Sequence, residues 1–282
     1  MNTLPSLFVS HGSPMIALEP GATGAFLHRL GETIDARFGR PRAILVASAH
    51  TLARTPVLFG AARHEAVHDF GGFPATLYTL RYDAPGAPEV AAQAAELLQR
   101  AGIEVPVIEH AGLDHGIWTA LRHVYAQADV PVVPLAWSPN DAPERLFALG
   151  RALAPLRAQG VLLLGTGSIT HNLRRLFGGV HGRPSADAPE IAESAAFRAW
   201  FAQHARERDW PALFDYRAQA PHAVDMHPTD EHLLPWFVAA GAGGPEAAPV
   251  RLHDEVTFGA LGMDAYAFGP EADALMSAFA TH

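Results

Sequence analysis

Residues 42–50 read RAILVASAH, a short aliphatic run from Arg42 to Ala47 that gives way to small residues and ends on His50. A run too short for a helix and apolar on both faces reads as a buried strand of a parallel sheet. The same pattern stands at Leu4 to Val9, just ahead of His11, and at Val161 to Leu164, a few residues ahead of His171. Val130 to Leu135 (VPVVPL) is a weaker instance, because two prolines interrupt it.

Helical patterns lie between these runs. Ala22 to Phe38 is one, and Pro88 to Ala101 is another, with proline near its start and Gly102 just past its end. Ile117 to Tyr125, Ala142 to Gln159 and Ala188 to Arg206 complete the set. Strand and helix alternating along the chain predict an α/β fold with a mostly parallel central sheet flanked by helices. Two loop-rich stretches, around Phe70 to Pro74 and from Gly178 to Pro189, are too short to be linkers, and there is no internal repeat. One domain spanning residues 1–282 is expected, with loops available to cover a site.

Composition narrows the chemistry. Hydrophobic residues make up 49% of the chain and charged residues 17%, which supplies a sizeable core and argues against disorder. A net charge of −9 disfavours nucleic-acid binding, which needs a clustered basic face. The Arg174–Arg175 pair reads as solvated surface or as a contact for a substrate carboxylate. The absence of cysteine removes disulfides, thiolate metal sites and a cysteine nucleophile, so any metal must sit on nitrogen and oxygen. The start, MNTLPSLFVSH, has no signal-peptide character, and no apolar run nears the roughly 18–20 residues of a membrane span. A soluble, cytoplasmic protein is the default expectation.

Sixteen histidines are many for such an acidic chain, and their placement is informative. His11, His50 and His171 each follow a strand, and ligands of open parallel sheets bind at the carboxyl ends of strands, where loops converge. Residues distant in sequence therefore meet there. His232 lies in His227-Pro228-Thr229-Asp230-Glu231-His232, where Thr229 reads as an N-cap that places His232 in a first helical turn. His115, in GLDHG at residues 112–116, opens another helix.

Six segments go further: HGSPM (11–15), SAH (48–50), HDFGGFP (68–74), DHGIW (114–118), GTGSITHNL (165–173) and PTDEHLLPW (228–236). In this order they resemble the class III extradiol ring-cleavage dioxygenases, in the branch that opens dihydroxyphenylalanine (DOPA) and related catechols. What the resemblance implies is a mononuclear non-haem Fe(II) site, with zinc in some related proteins, held by His11, His50 and His232. His171 would be a fourth ligand when zinc is bound, or the acid/base residue toward a catechol. His115 would be a second catalytic histidine, and the co-substrates would be a small aromatic diol and O2, giving a muconate semialdehyde-type product.

The sequence also departs from that pattern. Thr51 stands where an aromatic residue is common, which puts a changed pocket wall beside His50. Asp230 replaces a frequent proline, and His227 is an extra histidine that reads as a surface residue or one packed behind the ligands, or as a substrate contact. His68 and Asp69 are expected to order the GGF loop, with Phe70 and Phe73 lining an aromatic pocket. His64, His110, His123, His181, His204, His222 and His253 read as surface or structural. Two rivals stand beside the dioxygenase: a zinc hydrolase using Glu231 or Asp114 as base, and a non-enzymatic binding protein that retains the pocket.

Overall fold

The computed structural model describes residues 2–177 and 184–279. Eight strands form one sheet: β1 (Ser6–Ser10), β2 (Ala43–Leu52), β3 (Val57–Phe59), β4 (Val107–Ile108), β5 (Val132–Trp137), β6 (Val161–Gly167), β7 (Val250–His253) and β8 (Ala265–Phe268). Their spatial order is β4-β3-β5-β2-β6-β1-β8-β7. The four aliphatic runs of the sequence are the inner strands β5, β2, β6 and β1, all mutually parallel. The edges break that rule, since β8 and β7 add on antiparallel beyond β1, and β3 lies antiparallel to β5. The sheet is therefore mostly parallel, as expected. The edge strands were not foreseen, because two- to four-residue strands carry too little periodicity to read.

Helices cover both faces: α1 (Gly21–Phe38), α2 (Pro88–Arg100), α3 (His115–Val124), α4 (Pro143–Leu153), α5 (Ala192–Glu207), α6 (Pro235–Gly243) and α7 (Ala272–Phe279). Strand alternation divides the core in two. Leu45 and Ala47 of β2 pack with Leu163, Val133 and the apolar sides of α2, α4, α5 and α6. Ile44 and Val46 face the other way, onto Leu162, Leu164 and helices α1, α3 and α7. A single three-layer α/β domain results.

Local chemistry sets the helix ends. Asp114 caps α3 by accepting from the Ile117 amide, so this helix starts at His115, two residues earlier than the apolar periodicity indicates. The pattern over 142–159 is an α-helix only to Leu153 and continues as a 3₁₀ turn over Ala154–Gln159, where Pro155 cannot supply an amide proton. Helix α5 begins at Ala192 and not Ala188, after the restriction imposed by Pro189. In β5, Pro134 is tolerated because β3 reaches only Leu135 and Ala136 on that side. Of the loop expected from Gly178 to Pro189, residues 184–189 carry no regular structure, and residues 178–183, His181 among them, lie outside the described residues. Among the described residues, no helix is long and apolar enough to cross a membrane.

Candidate metal centre

The parallel strands deliver their histidines to one place. His11 follows β1, and its amide is anchored by the Gly167 carbonyl at the end of β6. His50 lies inside β2, beyond the Ser48–Thr166 pairing that ends its regular register with β6. His232 arrives on the turn that precedes α6, and the Ser168 amide binds its carbonyl at 2.9 Å. That turn lies against β6 so closely that a Cβ on Gly167 would stand 1.9 Å from the His232 carbonyl oxygen. Only glycine permits this approach.

The expected N-cap at Thr229 is corrected here. Helix α6 begins at Pro235, and the Thr229 hydroxyl bonds the Glu231 carboxylate instead. His232 thus belongs to a turn, which frees its backbone to lie against Gly167.

The ligand nitrogens of His11, His50 and His232 lie within 4.8 Å of one another. The Nε2 atoms of His11 and His50 are 3.2 Å apart. Two nitrogens bound to one ion at about 2.0–2.1 Å stand about 3.0–3.4 Å apart, so the spacing suits a shared metal. Tautomers agree with this arrangement. The Thr166 hydroxyl donates to the Gly116 carbonyl at 2.9 Å, so it must accept from His11 Nδ1–H, 3.0 Å away. His232 Nδ1–H donates to the Glu231 carboxylate at 3.1 Å. Both rings therefore keep the Nε2 lone pair for a metal, with a hydrogen-bonded partner fixing each ring from behind.

Electrostatics keep these rings neutral. Burial, followed by the neighbouring His50, His115, His232 and His171 rings, holds His11 well below the ordinary imidazole value. His232 is lowered in the same way, by burial and then by His171 and His50. Burial and His115 bring His50 down to about 4, against the opposing pull of Asp69 and Glu231. Burial lowers His171 to about 3, with His227 adding to the effect. Neutral imidazoles are what a divalent ion binds.

Around this group lies a cavity of about 1050 Å³, into which His50, His115, His171 and His232 open. Phe70 and Phe73 line it, their rings 5.3 Å apart and nearly perpendicular. His115 is held by Asp69, whose carboxylate accepts from both its Nδ1 and its backbone amide at 3.0 Å. Burial would raise the Asp69 carboxyl, but these hydrogen bonds outweigh it and hold it below the usual carboxylate range. The HDFGGFP loop thus fixes a histidine that is 46 residues away in sequence.

The His171 ring lies on that of His232, 3.4 Å away and tilted by only 9°. His171, Glu231 and His232 each bring one ligand atom within 4.8 Å of the others, a second group beside the first that includes neither His11 nor His50.

Two expected pocket residues are elsewhere. Thr51 is absent from the cavity wall, and its hydroxyl donates to the buried Asp114 carboxylate, which also accepts from Ser48 at 2.8 Å and from the Ile117 amide. Neighbouring residues of a strand point to opposite faces, so the residue after His50 turns away from the site. His227 is fully buried, outside the cavity wall, with Nε2 donating to the Ile169 carbonyl at 2.7 Å. Its ring packs near Phe197 and Tyr216 in the interior. Asp114 is consumed by its three donors and does not reach the cavity, which removes it as a hydrolytic base.

The bonds of Thr166 to His11 and of Glu231 to His232 are not apparent from the sequence. Neither partner shows in spacing, although GTGSITHNL contains the first and PTDEH the second. A buried network also went unread. Arg198 binds Asp264 through two nitrogens, and Asp264, itself bonded to Arg251, offers its carbonyl to the amide and hydroxyl of Ser10. These paired charges fix the strand end that carries His11.

The lowered histidines make stability depend on pH. In the unfolded chain these rings take up a proton near pH 6.5, whereas His50 and His227 do so only near 4 in the folded protein. The unfolded state therefore binds more protons below about pH 6.5. Metal-free protein is expected to lose stability progressively from there toward pH 4 and to hold a plateau above pH 7. Denaturant midpoints across that range check this, and a midpoint that is flat or rises on acidification would be inconsistent with neutral buried rings.

Comparison with known proteins agrees with the geometry. Residues 5–269 match the family model described as the catalytic LigB subunit of aromatic ring-opening dioxygenase. The chain is 34% identical over 269 residues to a 4,5-DOPA dioxygenase extradiol of Beta vulgaris, covering 95% of this chain and 97% of that one. A protein of the same name from Escherichia coli K12 is 33% identical over 262 residues, covering 92% and 93%. The crystal structure of an uncharacterised Escherichia coli K12 protein superposes with a TM-score of 0.75 at 28% identity, over 94% of this chain and all of that one. With the family model spanning nearly its whole length, the chain belongs to the LigB family of aromatic ring-opening dioxygenases.

Proposed function

We propose that the protein is a metal-dependent extradiol dioxygenase that uses O2 to open a small catechol beside its diol, giving a muconate semialdehyde-type product. The observation that carries this is the convergence of His11, His50 and His232 on one point at an aromatic-walled cavity. These three imidazoles would hold Fe(II), and Zn(II) would fit the same nitrogens. When bound, ferrous iron supplies open coordination positions and a path for electrons between catechol and dioxygen.

The chain's own residues supply the rest. His171 is neutral, opens into the cavity and is stacked on His232, outside the group that His11, His50 and His232 form. Its role is to take a proton from the catechol hydroxyl and to return it to the opened product. His115, with Nδ1–H held by Asp69 and its ring 4.0 Å from that of His50, presents Nε2 as a hydrogen-bond partner for substrate or oxygen. Phe70 and Phe73 pack against the ring and exclude water.

Ferrous-loaded protein screened against simple catechols tests this reading. Yellow ring-opened products are expected in air, with turnover lost when oxygen is removed or when Zn(II) replaces Fe(II). Turnover that persists without oxygen would instead favour hydrolysis by a zinc site.

A further inference from the structure

The cavity has a charge preference that the ring-opening reading does not specify. Two carboxylates line it, Glu19 and Glu231. The chain has no lysine, so all 20 of its cationic side chains are arginines, and none of the described ones lines the cavity. Arg175, a sequence candidate for gripping a substrate carboxylate, is bonded to Asp225 and Glu193 instead. The walls are otherwise largely apolar or aromatic, with Met15, Phe70, Phe73 and Leu261 among them.

The two carboxylates differ in what they can do. Glu231 is committed to the His232 ring and the Thr229 hydroxyl. Glu19 follows a 3₁₀ turn (Pro14–Ala17), is exposed while still lining the cavity, and forms no ion pair with any described residue. It therefore stands at the mouth with its charge unspent. A catechol with its diol against the histidines would extend its ring substituent toward that mouth.

We propose that the preferred substrate is a catechol with a cationic side chain, an arylalkylamine without a carboxylate, and that Glu19 is the residue that selects it. This rests on the ring-opening reading for the orientation of the diol. Selection has an attractive and a repulsive part. An ammonium gains the Glu19 partner, while a carboxylate finds two like charges and no described arginine. The net charge of −9 biases approach in the same sense.

The test compares three catechols alike except for an ethylammonium, an ethyl or a propanoate group on the ring. Their binding to Fe(II)-loaded protein is measured by calorimetry in oxygen-free buffer, and their ring opening is then followed in air. The ethylammonium compound is expected to bind about fivefold or more tightly than the propanoate, with the ethyl compound between them. Glu19→Gln is expected to weaken the ethylammonium compound by about threefold, the scale of an exposed ion pair, and to leave the ethyl compound unchanged. Equal or tighter binding of the propanoate, or an ammonium-to-propanoate ratio that Glu19→Gln does not move, overturns the proposal. The ethyl compound separates the two readings. If it is opened in air without any charge preference, only the selectivity proposal fails. If it is not opened while the preference holds, the ring-opening reading fails and the charge selection stands.

Discussion

His232→Ala is expected to strip the protein of its metal and to abolish ring opening. The ring shares one group with His11 and His50, its ligand nitrogen within 4.8 Å of theirs, and its Nδ1–H is already committed to Glu231. His171, stacked on His232, is the nearest substitute, but it does not join the group formed with His11 and His50. Loss of a partner behind a ligand costs about 10- to 100-fold in metal affinity, and loss of the ligand itself is expected to cost more. Thr166→Val, which removes the acceptor that fixes the His11 tautomer, gives the smaller effect for comparison. Metal content after dialysis and the calorimetric affinity of each variant check this. Wild-type metal content in His232→Ala would place the site elsewhere.

His171→Ala is expected to behave in the opposite way. Metal binding should stay near the wild-type level, while ring opening falls by about a hundred- to ten-thousand-fold, the range for loss of a general acid/base. The ring opens into the cavity and is neutral, but it is not part of the group that His11, His50 and His232 form. Metal analysis alongside turnover separates the two roles left open by the sequence. A joint fall in iron content and activity would make His171 a ligand, and unchanged turnover would remove it from the chemistry.

Much of this architecture is legible without coordinates, and the failures have physical causes. The inner strands are readable because a parallel strand buried on both faces must be aliphatic throughout, as RAILVA and VLLL are. The histidines that follow them are then placed at one edge by topology alone. His232 is found for the wrong local reason. A Thr-x-x-His pattern suggests a capped helix, but the chain makes a turn there because the segment must lie against Gly167. Thr51 reads as pocket wall because the aliphatic run stops at Ala47 and gives no sign that the strand continues past His50. Once the strand is known to run to Leu52, alternation sends Thr51 toward Asp114 and out of the pocket. The Asp69–His115 and His11–Thr166 pairs link residues 46 and 155 positions apart, and no local periodicity encodes such contacts. The antiparallel edge, β7 and β8, is hidden for another reason. Four-residue strands with half-polar neighbours do not stand out from loops.

The central claim, that this histidine cluster directs dioxygen into a catechol ring, is tested most directly by isotope. Fe(II)-loaded protein is given a simple catechol under labelled dioxygen, and the product is trapped by borohydride before its aldehyde exchanges with water. Ring opening by a dioxygenase places both labelled atoms in the trapped product, one in the carboxylate and one in the reduced carbonyl. A product that carries no label, or one formed equally well in labelled water without oxygen, would contradict the account.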